Sequence, residues 1–233
     1  MMNHTLPFHI AILAAGLLLL QSSSFAHLVW LEPTTDGGLI IRFGEYGEEP
    51  ETSPGHLDSL GQPVAWAISS EGSHESLATK CVSDGYSVTG TSENNPAQAQ
   101  TAFPVMGATD EKPGRRPIFY ARWCVHSPEE GRSIKPAADL DIVPTGKPGE
   151  FQVCFRGNAV PSITVEAHYP LGNSETFTTD DTGKVTVPLD NPGLYLLSCR
   201  HHREATSGYA SGVKYDTLSH NATVAWKVAQ PTP

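Results

Sequence analysis

Residues 119–125 read Phe119-Tyr120-Ala121-Arg122-Trp123-Cys124-Val125, and the fold class turns on how they are read. In an extended chain Phe119, Ala121, Trp123 and Val125 share one face, while Tyr120, Arg122, Cys124 and His126 share the other. A period of two sustained over a whole segment is the signature of a strand and not of a helix. The same alternation recurs downstream in Leu140/Ile142, Phe151/Val153/Phe155, Ile163/Val165/Ala167, Val185/Val187, Tyr195/Leu197 and Ala222/Val224/Trp226/Val228. Short strands about ten residues apart with turn residues between them predict a β-sandwich. Asp180-Asp181-Thr182-Gly183 reads as one of those turns rather than as a cation site.

Upstream the pattern continues with Leu39/Ile41/Phe43 and with Val64/Trp66/Ile68 as inward rows. Cys81-Val82 and Tyr86-Ser87-Val88 flank Asp84-Gly85, a favoured hairpin turn. Residues 90–118 are polar and rich in Gly, Pro, Asn and Gln, and they predict a long loop. Residues 127–135 lack apolar rhythm and read as a boundary. The expectation is an all-β protein of two immunoglobulin-like or transthyretin-like sandwich modules, residues 27–133 and 134–229. Trp66, Trp123 and Trp226 fall on inward phases and read as core, and Trp30 as the anchor of the first strand.

The chain has 233 residues and a formal net charge of −10, which argues against nucleic acid, since phosphate binding needs a clustered basic face. An apolar run from Ile10 to Leu20 is too short to span a bilayer and ends at Ser24-Phe25-Ala26, the small-x-small pattern of a signal-peptidase site. Residues 1–26 therefore read as a signal peptide, although no Lys or Arg supplies its n-region. The expected location is the periplasm or the exterior, with no transmembrane span in the mature chain. Four cysteines (Cys81, Cys124, Cys154, Cys199) suit disulfides in such a compartment and allow three pairings. Spacing invites Cys81–Cys124 and Cys154–Cys199, yet Cys154 lies off the core phase of its strand while Cys199 shares the phase of Tyr195 and Leu197.

Cleavage after Ala26 would leave His27 as the first residue. Such a histidine offers its α-amine and its ring Nδ1, which together close a six-membered chelate ring on a metal. The amine is usable near neutral pH because its ordinary pKa is about 7.7–8.0. One further imidazole would complete a T-shaped set of three nitrogens, a histidine brace, and nitrogen-rich tetragonal sites favour Cu(II) or Ni(II). An amino-terminal site that needs histidine in third position is excluded, because Val29 stands there.

The start His27-Leu28-Val29-Trp30-Leu31-Glu32-Pro33 resembles the opening of a family of bacterial periplasmic proteins described as components of nickel or cobalt uptake systems (NikM-like). FYARWCV, LDIVPTGKPGEFQVCFRGNAV, TTDDTGKVTVPLDNPGLYLLSCRHH and NATVAWKV extend the likeness over most of residues 119–228. The resemblance implies a two-module β protein outside the inner membrane that handles nickel, cobalt or copper. It carries metal-binding roles to His27 and to a histidine after the LYLLSC strand, here His201 or His202. His201 continues the phase of Leu197 and Cys199, and His202 points the other way in a regular strand. Tyr209, Tyr215 and His220 follow and could complete a shell, and His126 is a lesser ligand candidate. His56 and His74 sit in polar, loop-like sequence near acidic residues and read as exposed.

Two other classes compete. A copper-dependent polysaccharide monooxygenase would use the same amino-terminal chelate with an axial tyrosine and a flat surface. A metal-free interaction module would need only the sandwich. The sequence holds no G-x-S-x-G, H-E-x-x-H or phosphate-binding glycine motif, so it reads as more binding protein than enzyme. The expected partners are a metal ion and a membrane metal transporter.

Overall fold

A computed structural model of the chain describes residues 27–68, 74–125 and 133–230. The expected leader, residues 1–26, lies outside the described residues, as does His126. The first part of the chain forms β1 (Leu28–Pro33), β2 (Leu39–Gly44), β3 (Val64–Ile68), β4 (His74–Val82), β5 (Gly85–Thr89), β6 (Ala97–Ala102) and β7 (Gly114–Cys124). The rest forms β8 (Leu140–Pro144), β9 (Glu150–Phe155), β10 (Asn158–Ala159), β11 (Thr164–His168), β12 (Ser174–Thr178) and β13 (Lys184–Thr186). The long hairpin β14 (Gly193–Ala210) and β15 (Val213–Val228) closes the chain. The fold is all-β, with one short 3-10 turn at His56–Ser59 and no helix among the described residues long and apolar enough to cross a membrane.

One sheet runs in the order β1-β2-β5-β4-β3-β6-β7-β15-β14-β11-β12. It folds over at β4, where His74–Leu77 pair with β3 and Ala78–Val82 pair with β5. That fold lays β1 across β7 and β15, where Thr223 Oγ1 donates to the Val29 carbonyl at 2.7 Å. A second sheet, β10-β9-β13 with β8 beside β9, covers the opposite face. β7, β15 and β14 are therefore the shared middle layer between two cores.

This explains the burial of both faces of FYARWC. Phe119, Ala121 and Trp123 enter the first core with Leu31, Ile41 and Phe43. Tyr120 and Cys124 enter the second with Phe151, Leu197 and Trp226. Arg122 lies on that second face, 1 % exposed, and its Nε and Nη2 reach both oxygens of the equally buried Asp141 at 2.9 and 2.5 Å. The downstream alternation lands as expected: Leu140, Ile142, Val153, Val165, Ala167, Val185, Val224 and Trp226 all belong to the second core.

The two halves of the chain thus meet in one sheet, because β15 runs parallel to β7 and β14 pairs antiparallel to β15. A parallel neighbour cannot be reached by a hairpin, so the whole second sheet is threaded between them. Three local expectations are corrected. Residues 90–118 are not one loop: β6 and the start of β7 lie inside them, and small residues Ala97 and Ala99 are what fit a strand packed between β3 and β7. The phase of β3 is reversed, with Ala65 buried and Val64 60 % exposed, since β3 is paired on both edges but covered on the alanine side. All four cysteines are unpaired: Cys81 is exposed on β4, with two strands, β3 and β6, between it and β7, while Cys154 and Cys199 belong to different sheets.

Candidate metal centre

His27 immediately precedes β1, whose first pair is Leu28 with Gly44, so its ring lies at the end of β2. It packs on Phe43 with ring centroids 5.0 Å apart and stands edge-on to His56 at 4.8 Å. Glu51 is drawn in by its own amide, which donates to the Phe43 carbonyl at 2.8 Å. Gly44 makes room for this approach: a Cβ there would lie 3.2 Å from the Glu51 nitrogen and 3.3 Å from the Pro50 Cα. His56 begins the 3-10 turn that the wholly buried Leu57 and the nearly buried Leu60 fix to the first core.

The three side chains converge. His27 Nε2 lies 2.6 Å from Glu51 Oε1 and His56 Nδ1 lies 3.3 Å from the same oxygen. Ligand atoms of all three lie within 4.8 Å of one another. The side chains are 28 %, 31 % and 43 % exposed, which leaves the group open to solutes. The hydrogen bond from His27, with a second from His56, holds the Glu51 carboxyl below the usual range although partial burial opposes this.

That ionisation fixes the tautomers. A carboxylate only accepts, so both ring nitrogens facing Glu51 carry hydrogen. The lone pairs then reside on His27 Nδ1 and His56 Nε2. A metal-ligating histidine commonly gives its other N–H to a carboxylate in this way, which orients the ring and raises its basicity. His27 Nδ1 is also the nitrogen able to close a chelate ring with the α-amine of the same residue.

His27 and His56 open into a cleft of about 460 Å³ whose wall also includes Phe103, Phe119, Met106, Arg115, His201 and Arg203. His201 thus shares a cleft with His27 but stands outside the His27–Glu51–His56 group. Arg115 Nη1 donates to His201 Nδ1 at 3.2 Å, so that nitrogen is already engaged. Burial and then the guanidiniums of Arg115, Arg200 and Arg203 lower the His201 pKa and keep the ring neutral.

His201 reaches this side through a β-bulge between Cys199 and His202. His201 is the extra residue, in the left-handed region at φ 63°, and its N–H donates to Asn221 Oδ1 at 3.1 Å. The inserted residue reverses the side-chain phase. His201 consequently faces the cleft, whereas His202 takes the side of Leu197 and Cys199, the reverse of the sequence expectation.

His202 packs on Phe155 at 4.5 Å and faces His220, to which it is paired in register. His220 is 1 % exposed, with Nε2 at 3.1 Å from Glu204 Oε2 and Nδ1 at 3.0 Å from the Tyr120 hydroxyl. Both of its nitrogens are thereby occupied: Nε2–H donates to the carboxylate and the Tyr120 O–H donates to Nδ1. Tyr215 lies out on the hairpin, opposite Gly208, with Arg116 over its ring at 5.9 Å. The structure therefore brings His27 and His201 to one cleft and places His202, His220 and Tyr215 elsewhere.

Glu51 was not singled out from sequence, and His56 was read there only as an exposed loop histidine near acidic residues. Their signal was a histidine five residues after a glutamate in a Pro- and Gly-bearing loop, which also describes ordinary surface sequence. No protein-family model and no curated protein matches the chain.

Proposed function

We propose that this is an exported transition-metal-binding protein that takes up nickel, cobalt or copper through His27 and passes it towards a membrane importer. The observation that carries the reading is the shared Glu51 oxygen, which ties His27 Nε2 and His56 Nδ1 and leaves one lone pair free on each ring. Once the leader is removed, the amine and Nδ1 of His27 supply a chelate and His56 Nε2 a third nitrogen. Glu51 acts as the positioning carboxylate. A nitrogen-rich set suits Cu(II) and Ni(II), and copper binds such sites most tightly whatever metal the cell provides. The likeness of the HLVWLEP start and of residues 119–228 to periplasmic nickel and cobalt proteins supports the same reading.

Titration of protein beginning at His27 with Ni(II), Co(II) and Cu(II), each in competition with a chromophoric chelator, tests it. One equivalent of metal bound by the native protein and lost in His27→Ala is expected. Equal binding by both proteins would refute the reading. The monooxygenase alternative calls for an axial tyrosine on a flat face. Among the described residues that line the cleft around His27 there is no tyrosine, and the surface is concave.

A further inference from the structure

The cleft beside the His27 group has a second end with the opposite chemistry. Arg115 and Arg203 both line it, and neither forms an ion pair among the described residues. Arg115 instead donates to neutral partners, His201 Nδ1 at 3.2 Å and Ser219 Oγ at 3.3 Å, with the Met106 sulfur at 3.9 Å. Burial and then the neighbouring Arg203 charge lower the Arg115 pKa, as expected of two like charges that lack a shared counter-ion. His201 joins them as a donor. Its Nδ1 accepts from Arg115, so its hydrogen resides on Nε2.

Arg115, Arg203 and His201 therefore line one cleft in a chain whose net charge is −10. A bare divalent cation is poorly matched to this end. With Glu51 as the one carboxylate of the histidine group, the ion would add its two charges to two uncompensated guanidiniums. The cleft is also far larger than an ion requires: about 460 Å³ lies within the range of small-molecule sites, about 300–1,000 Å³. Phe103, partly buried, also lines the cleft with the edges of the core residues Phe43 and Phe119, and gives it an apolar wall for a carbon skeleton. Backbone strain is invested in the same place, because His201 holds a left-handed φ of 63° that glycine adopts at less cost.

Resting on the metal reading above, we infer that the natural ligand is a metal ion already chelated by a small polycarboxylate. The ion meets the open nitrogens of His27 and His56, and the carboxylates of the chelator meet Arg115, Arg203 and His201 Nε2–H. Arginine suits this role because its planar fork matches a carboxylate.

The test uses Ni(II) alone, radiolabelled citrate alone, and the two together, on protein beginning at His27. Native protein is expected to retain one citrate per bound Ni(II) and little citrate without the metal. Arg203→Gln, at an exposed site, and Arg115→Gln should each weaken citrate retention about tenfold to a hundredfold, the worth of a hydrogen bond to a charged group. Both should bind Ni(II) alone as well as native protein or better. Nickel bound with citrate left in solution, or citrate retained equally by both arginine variants, overturns the inference and leaves the metal reading standing. Failure of native protein to bind Ni(II) alone removes the metal reading, and this inference with it.

Discussion

Replacing Glu51 by Gln tests the site most directly, because it keeps the shape and an acceptor oxygen while removing the charge. Native Glu51 accepts a 2.6 Å bond from His27 Nε2 and a longer 3.3 Å one from His56 Nδ1. A neutral hydrogen bond contributes about 1 kcal/mol net, and a charged partner roughly doubles this. The short bond should therefore lose about 1 kcal/mol of its ordering effect and the long one a fraction of that. The carboxylate is 31 % exposed, so solvent screening keeps the total at about 1–1.5 kcal/mol. At about 1.4 kcal/mol per tenfold, Glu51→Gln should weaken metal binding roughly five- to twelvefold. Competition against a chromophoric chelator reads this directly, and the Cu(II) electron paramagnetic spectrum should keep the native nitrogen count. A loss beyond a thousandfold with a changed spectrum would make Glu51 a direct ligand and refute the tautomer argument. So would an affinity unchanged within twofold.

Retaining one residue before His27 should cost at least a hundredfold in affinity, because the amine becomes an amide; equal affinity in the same competition assay would remove the chelate. His56→Ala should weaken Ni(II) binding strongly while His201→Ala leaves it near native, a contrast titration calorimetry resolves. His201→Gly should raise stability by about 1 kcal/mol, read by urea unfolding, since a left-handed position suits glycine. Acid should destabilise the fold in a definite window. The pKa values of His201 and His202 are lowered, the first by burial and three guanidiniums, the second by burial and His220 with Glu204 opposing. The unfolded chain thus takes up protons first, so stability is full above about pH 6.5 and falls as pH drops through the lowered values. Thermal unfolding at stepped pH should show this fall, and His201→Asn with His202→Asn should flatten it.

The second core was legible because its strands obey period two and its inward residues are large: Phe151, Val153, Val224 and Trp226 announce their side. FYARWC shows the limit of that reading. Its alternation was correct and Trp123 was read as core, but the other face was given no surroundings, whereas a middle layer buries both. The second sheet, threaded between β7 and β15 and laid over this face with Asp141 on β8, makes Arg122 an interior residue. β6 was hidden for the opposite reason, since Ala97 and Gln98 are small or polar and carry no hydrophobic signal although both are fully buried. His201 was assigned to the wrong side by a rule that holds only for unbroken strands. Nothing in Cys199-Arg200-His201-His202 marks a bulge; its cause is Asn221 on the neighbouring strand.

Asn221 links the strands to the cleft. Its Oδ1 takes the His201 N–H, and its Nδ2 donates to the Ile118 carbonyl at 3.1 Å and the Ser219 carbonyl at 2.9 Å. One side chain thus satisfies the irregular backbone of β14, β7 and β15 together, at a site 6 % exposed where an unmet N–H costs about 1–3 kcal/mol. The left-handed turn at His201 exists because that N–H has somewhere to go. Without the amide, β14 could regain regular pairing only by returning His201 to the second-core face and moving His202 towards the cleft. The cationic end would then lose its imidazole donor and Arg115 one of its acceptors, while His27, Glu51 and His56, held by β1, β2 and the 3-10 turn, would stay in place. The two ends of the cleft are therefore built by different mechanisms, one by loops gathered at the end of β2 and one by a defect in the middle sheet.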